Sequence, residues 1–517
     1  MSWIVVRQSK GLIELKSKKS EESQDGILTV GSFLTVEIED SKVILRVEET
    51  HQVDPFGPTA LVVEMDIGGL EQDVKCYNKI LARRLKHIPK RDDGKYDFIP
   101  ARSEVRLSNE DEIKLALNTA DNGPTIFPAT LFSNENNLIQ TDNKGFVNVH
   151  LNEEMYWHQT VILGKTGSGK TVAIKHLAKH FVNNMEEVGC VIALNVKGAD
   201  LLHMEKPTNK TTDEIIKEWD AIDLEPEGIN NFVIYSPSGS EDPRERYRNI
   251  GATTERITLQ TSEIDPEAML GLLREQMTDI AARWFPDIFR RWQEDNPNGI
   301  FDEFLEHFDA QGNDFAIQDV NGVRRNEILP GGSVGVIRRA ITYASRFFDG
   351  DATPVNVSDF LEPGKFSSID LSGTNAIDFG SVFLRHILAK ILEAKQREEY
   401  DLPVLIIIDE AHKFHKKGQA TSEALKYLDE ICRTGRETKV SVMFASQDSS
   451  TIPSGILDIV NTHIVFRNSN KPTASRMNVT LEEMKSLEDG YAVADIYGVR
   501  NIKYIKFPMA VSGVIRR

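Results

Sequence analysis

Gly164-Lys165-Thr166-Gly167-Ser168-Gly169-Lys170-Thr171 fits the phosphate-loop pattern of glycine, four residues, glycine, lysine, and serine or threonine. The apolar run Val161-Ile162-Leu163 before it reads as a short buried strand. Behind it, Thr171 to Val182 carries Ala173, Leu177 and Phe181 at helical spacing, so a helix starts at the loop. Strand, glycine loop and helix together are the context the pattern needs. Glycines let the backbone from Gly164 through Thr166, Gly167, Ser168 and Gly169 curl until successive N–H groups face phosphate oxygens, and the helix N-terminus adds positive potential. Lys170 is expected to reach the β- and γ-phosphates of ATP, and Thr171 to place its hydroxyl on Mg²⁺. The plainer reading is a flexible glycine turn before an ordinary helix.

A second centre complements the first. Leu402 to Ile408 is apolar and ends in Asp409-Glu410-Ala411-His412. A buried strand closing in two acids suits a phosphate loop: Asp409 would hold Mg²⁺ and Glu410 would orient or deprotonate the attacking water. Lys439 to Ser446 reads as the next strand, and Gln447 at its end either senses the γ-phosphate or hydrogen-bonds a loop. Ser422 to Arg436 is helical in pattern and ends Arg433-Thr434-Gly435-Arg436. In a ring, one of these arginines would reach the ATP of a neighbouring subunit; alternatively they complement the helix dipole. Asn195-Val196-Lys197-Gly198-Ala199-Asp200 follows the strand Cys190 to Asn195, so Lys197 faces nucleotide or a channel, or sits in a polar turn. Lys413-Phe414-His415-Lys416-Lys417-Gly418 is a local basic tract, either DNA-facing or solvated.

The 517 residues exceed one ordinary domain. Residues 1 to about 110 hold short Val/Ile/Leu runs (Trp3–Arg7, Leu12–Leu15, Ile27–Val30, Phe33–Ile38, Lys42–Val47, Ala60–Met65) with close turns, which predicts a small barrel or sandwich. Lys86, Lys90 and Arg91 read as a solvated basic face. From Met269 to Phe289 the apolar positions fall on one helical face, and further helical stretches follow to Phe348, so a helical insertion lies between the two chemical centres. Phe232–Tyr235, Thr462–Phe466, Tyr491–Ile496 and Ile502–Phe507 read as strands, the last two as a hairpin. The expected division is a β-barrel domain over 1–120, an α/β core over 121–262 and 351–517 ending in the hairpin tail, and a helical insertion over 263–350. A net charge of −18 argues against a protein that coats nucleic acid with its whole surface, but leaves room for a narrow basic channel. Isolated Cys76, Cys190 and Cys432 suggest a reducing cytoplasm, and no stretch has the length of a membrane span.

The arrangement resembles the HerA-type ATPases of the HerA/FtsK superfamily. The resemblance rests on His158-Gln159-Thr160 leading into Gly164–Thr171, on Leu405 to His412, on Arg433–Arg436, on Ala445-Ser446-Gln447, and on Asn461 to Arg467. It implies an α/β, RecA-like core with an N-terminal small barrel and a helical-bundle insertion. It also implies a homo-hexameric ring that moves double-stranded DNA through its pore using ATP and Mg²⁺. Partners implied are a NurA-like nuclease or an antiviral effector. By the same resemblance Lys170 and Thr171 bind nucleotide and metal, Asp409 and Glu410 serve hydrolysis, and Arg433 or Arg436 acts in trans. Many members carry aspartate where this chain has Asn195. Rival expectations are an ATP-gated scaffold for an effector, a secretion or conjugation motor, and a metabolic P-loop kinase.

Overall fold

A computed structural model of the chain describes residues 3–9, 11–18, 28–38, 41–53, 77–89, 98–132, 135–140, 145–273, 276–373, 376–411, 431, 433–452 and 454–515. The strand expected at Ala60–Met65, the basic tract Lys413–Gly418, Lys90, Arg91, Cys76 and Cys432 lie outside these residues. Contacts divide the chain into two units. The first comprises Met1–Asn152, Lys217–Asp223 and Ile464–Pro508, and the second Glu153–Ile216, Leu224–His463 and Met509–Arg517.

The first unit begins with β1 (Trp3–Ser9), β2 (Leu12–Lys18), β3 (Phe33–Ile38), β4 (Ser41–Val53), β5 (Tyr77–Pro89) and β6 (Glu104–Leu107), closed into a barrel in the order β1-β2-β5-β4-β3-β6. Alternate residues point inward, so Val5, Ile13, Leu15, Leu34, Val36, Val43, Leu45 and Val105 fill one core. Closure removes the free edges that short strands would otherwise expose. One expectation changes here. Ile27–Val30 forms no strand among its described residues, which hold only the bridge from Val30 to Leu131. Lys86 lies within the long strand β5, partly exposed, and its ammonium donates to the Leu115 carbonyl at 2.9 Å.

Helix α1 (Glu110–Leu117) follows, with a reciprocal capping box between Asn109 and Glu112. Next come β7 (Ala120–Phe132), β8 (Glu135–Leu138) and β9 (Val149–His150). Gly123 is obligatory in β7: its φ is +136°, and a Cβ there would lie 1.9 Å from the Leu151 carbonyl oxygen.

The second unit is built on β10 (Thr160–Leu163), β11 (Cys190–Asn195), β12 (Phe232–Pro237), β13 (Thr253–Thr258), β16 (Thr353–Pro354), β17 (Phe366–Asp370), β18 (Val404–Ile408) and β19 (Val440–Ser446), with the hairpin β14 (Asp314–Gln318) and β15 (Arg324–Ile328) outside the sheet. The sheet order is β16-β13-β12-β17-β11-β18-β19-β10, every pairing parallel. Its central strands are buried throughout, which is why they read as unbroken apolar runs rather than alternations. Helix α2 (Lys170–Asn183) follows β10. The insertion comprises α3 (Pro266–Leu273), α4 (Asp279–Asp295), α5 (Phe301–Ala310), the β14–β15 hairpin and α6 (Gly331–Ala344). Phe285, Phe289, Trp292 and Phe304 form its aromatic centre, with Phe289 and Phe304 edge to face at 4.9 Å. Helix α7 (Ala376–Gln396) then leads toward β18. The first unit is completed by most of β20 (Thr462–Phe466), with β21 (Tyr491–Asp495) and β22 (Tyr504–Lys506); β21 and β22 are an antiparallel hairpin, and β22 pairs with β7.

One polar cluster ties the barrel to α1. Glu112 accepts from Arg106 at 2.7 and 2.9 Å, from Lys42 at 2.9 Å, from the Thr35 hydroxyl at 2.9 Å and from the Asn109 backbone at 3.1 Å. Burial alone would raise its pKa, but the bonds from Arg106, Lys42, Asn109 and Thr35 outweigh that and hold it at about 2. A carboxyl depressed from 4.5 adds stability that is fully present above 4.5 and is lost as pH falls toward 2. Glu112→Gln is therefore expected to cost roughly 1–3 kcal/mol at neutral pH. Urea melts should show the difference from wild type shrinking between pH 5 and pH 2.

Candidate nucleotide site

In the parallel sheet every strand runs the same way, so all the loops at its C-terminal edge gather together. Register makes this concrete: Leu163 pairs with Ser446, Ile408 with Phe444 and with Leu194, and Asn195 with Asp370. The glycine loop after β10, the acid pair after β18, Gln447 after β19, the Lys197 loop after β11 and Asp370 on β17 thus share one edge.

The glycine loop is anchored by Gly164 N–H donating to the Ser446 carbonyl at 3.2 Å and by the Ser168 hydroxyl donating to Lys165 O at 2.7 Å. Gly167 and Gly169 adopt φ of +81° and +113°, the left-handed turn that the loop requires. Helix α2 starts directly behind Gly169 with no side-chain cap, so its first N–H groups are left for an anion. Lys170 is buried, and its ammonium donates to the carbonyls of Gly164 at 2.6 Å and Lys165 at 3.1 Å. Burial lowers its pKa, against the pull of Glu410 and Asp409. Thr166 and Gly167 are exposed at the crown of the loop, and Thr171 is half-buried in the first turn of α2.

Asp409 and Glu410 are both buried. Burial, then the charges of Glu410 and Asp200, push Asp409 up to about 6. A buried carboxylate at the same sheet edge as the Thr171 hydroxyl that opens α2 is a hard-oxygen donor set that fits Mg²⁺. Glu410 stands in the left-handed region at φ +50°, uncommon for a residue with a side chain and characteristic of functional turns. Its carboxylate accepts from Gln447 Nε2 at 3.2 Å and lies 3.8 Å from the Lys197 ammonium.

The arginines are elsewhere. Residues 433–438 are helical and lead into β19 at Val440, the end of the strand opposite Ser446 and the glycine loop. Seven residues of strand separate the two ends, roughly 20 Å. Arg433 and Arg436 are exposed there, while Gly435 between them is buried. A Cβ on Gly435 would lie 2.4 Å from Gln159 Nε2 and 2.6 Å from the Val440 carbonyl oxygen. Gln159, itself buried and at φ +57°, accepts from the Val442 backbone N–H.

Sequence reasoning missed β17 and its terminal acid. Asp370 is completely buried and paired with Arg246, and its carboxylate also meets Ser372 and Asn195. Asn195 donates to Gly198 O at 2.8 Å and to Asp370 at 3.3 Å, and accepts from Leu201 N–H at 3.1 Å. An aspartate at 195 would set two carboxylates against each other. The amide is thus consistent with a charge supplied from the adjacent strand. The available signal was Phe366-Ser367-Ser368-Ile369-Asp370 followed by Ser372-Gly373, a short run ending in an acid and a turn, as at Asp409.

Residues 137–391 match the family model for the central domain of helicase HerA. The chain carries a HerA central domain over these residues. It is 23% identical over 352 residues to the DNA double-strand break repair helicase HerA of Pyrococcus furiosus, across 61% of this chain and 57% of that protein. The chain therefore aligns with little more than half the length of that curated relative. Among solved structures, VirB4 of Thermoanaerobacter pseudethanolicus matches at 12% identity and TM-score 0.45, over 75% of this chain and 97% of its own. The plasmid coupling protein TrwB in complex with ADP and Mg²⁺ matches at 12% identity and TM-score 0.48, over 79% and 93%.

Gly435→Ala is expected to destabilise the fold by about 1–3 kcal/mol through overpacking against Gln159 and Val440. Arg433→Ala and Arg436→Ala, at exposed positions, should stay within about 0.5 kcal/mol of wild type. Thermal melts of the three variants check both expectations.

Proposed function

We propose that this chain hydrolyses ATP, and that six copies form a ring in which hydrolysis moves double-stranded DNA through a central pore toward a partner nuclease or antiviral effector. The observation that carries the reading is the division of the second unit. A glycine loop, a buried acid pair and a glutamine converge at one edge of the sheet, and two exposed arginines stand at the other. Arginines so far from their own glycine loop are suited to the nucleotide of an adjoining copy, which favours a ring over a monomeric kinase.

The residues divide the chemistry as follows. Backbone N–H groups from Gly164 to Gly169 and the start of α2 cradle the phosphates. Lys170 leaves the loop carbonyls for phosphate oxygens, a charge-assisted exchange that favours bound nucleotide. Thr171 and Asp409 would hold Mg²⁺, which would supply charge neutralisation on the phosphates. Glu410, oriented by Gln447, draws a proton from the attacking water. Arg433 or Arg436 of an adjoining copy steadies the charge that develops on the transferred phosphoryl group.

Lys170→Ala should abolish both ATP binding and turnover. Glu410→Gln should keep binding while turnover falls about 10²–10⁴-fold; equal loss of binding in that variant would contradict its assigned role. ATP turnover measured with and without linear double-stranded DNA across a salt series tests the polymer. Stimulation that fades with salt supports a motor gripping phosphates. Turnover indifferent to DNA at every salt concentration would point to an ATP-gated scaffold for an effector.

A further inference from the structure

Lys197 stands between the glycine loop and the acid pair. Its ammonium lies 3.4 Å from the Thr166 hydroxyl, at the crown of the glycine loop, and 3.8 Å from Glu410 Oε1. A group within reach of both lies over the mouth of the loop, between the phosphate cradle and the acid that would act on water. Both contacts are long, and the side chain is 45% exposed, so its present pairing is weak.

Its base, by contrast, is rigid. Val196 and Asn195 are buried. Asn195 closes the loop on itself through Gly198 O and Leu201 N–H, and Gly198 takes the left-handed turn at φ +55°. Asp370 holds the Asn195 amide from the next strand, and is itself held by Arg246 and Ser372. A flexible cationic arm on a fixed pivot is the arrangement expected of a group that exchanges partners.

We infer that Lys197 is a further residue of the nucleotide site, a cation that pairs with Glu410 before a triphosphate binds and transfers to the terminal phosphate when one does, releasing Glu410 toward water. Charge decides the direction. The terminal phosphate carries more negative charge than one carboxylate and offers oxygens for short charge-assisted hydrogen bonds. ADP has no such phosphate, so Lys197 stays with Glu410 when ADP is bound. The acid is therefore restrained after turnover and freed only by fresh ATP. This inference rests on the ATP-hydrolysing reading of the same site.

The test compares full-length wild type, Lys197→Met and Lys197→Arg for affinity toward ADP and toward ATPγS, and for kcat and KM with ATP. In Lys197→Met, ATPγS should bind about ten-fold more weakly while ADP affinity stays within about two-fold, because only one of the two carries the recognised phosphate. Its kcat should fall as well as its KM rise, and Lys197→Arg should restore part of both. An unchanged ratio of ATPγS to ADP affinity, whether neither or both affinities move, would overturn the inference. The binding ratio reads out even without turnover. Absence of ATP hydrolysis by wild type would overturn the functional reading, whereas an unchanged ratio in a wild-type-active protein would overturn only the role of Lys197.

Discussion

Two buried carboxylates at the end of a wholly apolar strand set the terms for this site. Asp409 and Glu410 leave water to sit beside the glycine loop, and the protein around them supplies little compensating charge. Lys170 is drawn back to loop carbonyls, Gln447 donates one hydrogen bond, and Lys197 stands at ion-pair rather than hydrogen-bond distance. Isolated charges in such a place are costly, so the arrangement is poised for ligands that bring the missing partners: a cation for the acids, and phosphates for the lysines and backbone N–H groups. The sheet is what makes this tolerable. Its central strands are buried along their length, so the charged groups of the site gather at their ends.

The same constraint shapes what lies beside the site. Asp370 is a third buried acid at this edge, and it is neutralised within the fold by Arg246. Removing either partner would leave a buried charge alone, which is much worse than never having had the pair. That fixed pair lets Asn195 be an amide, and the amide's ability to donate and accept at once shapes the Lys197 loop. Helix α2 is managed in the same way farther along. Lys175 is buried with its pKa lowered to about 8 by desolvation, and it donates to the Gly513 carbonyl at 2.6 Å. Residues near the C-terminal end of the chain thereby pack against the phosphate-loop helix. They are stitched in by Thr208 N–H to Val511 O at 2.8 Å and Gly513 N–H to Lys206 O at 2.8 Å.

Several features were legible in the residue order because they are local. The glycine loop needs left-handed turns that only its spacing of glycines supplies, and the strands flanking it are unbroken apolar runs. The aromatic insertion announced itself by helical periodicity from Met269 to Phe289. The barrel was legible only in part. Tyr77–Pro89 alternates apolar residues with lysine and arginine, and its charges masked a strand whose inward residues are small or few. Phe366–Asp370 was missed because two serines interrupt it, although its position between β11 and β12 buries all five residues.

By itself, the sequence determined the phosphate loop, the acid pair and the α/β class, because each depends on backbone geometry and burial over a few adjacent residues. Only the tertiary structure decided which distant residues meet. Asp370 joins Asn195 across 175 positions, Lys197 leans over Thr166 and Glu410, and Arg433 and Arg436 stand away from their own glycine loop. Strand order and parallel direction set those meetings, and both are fixed by how the whole sheet buries its faces rather than by any one stretch of chain.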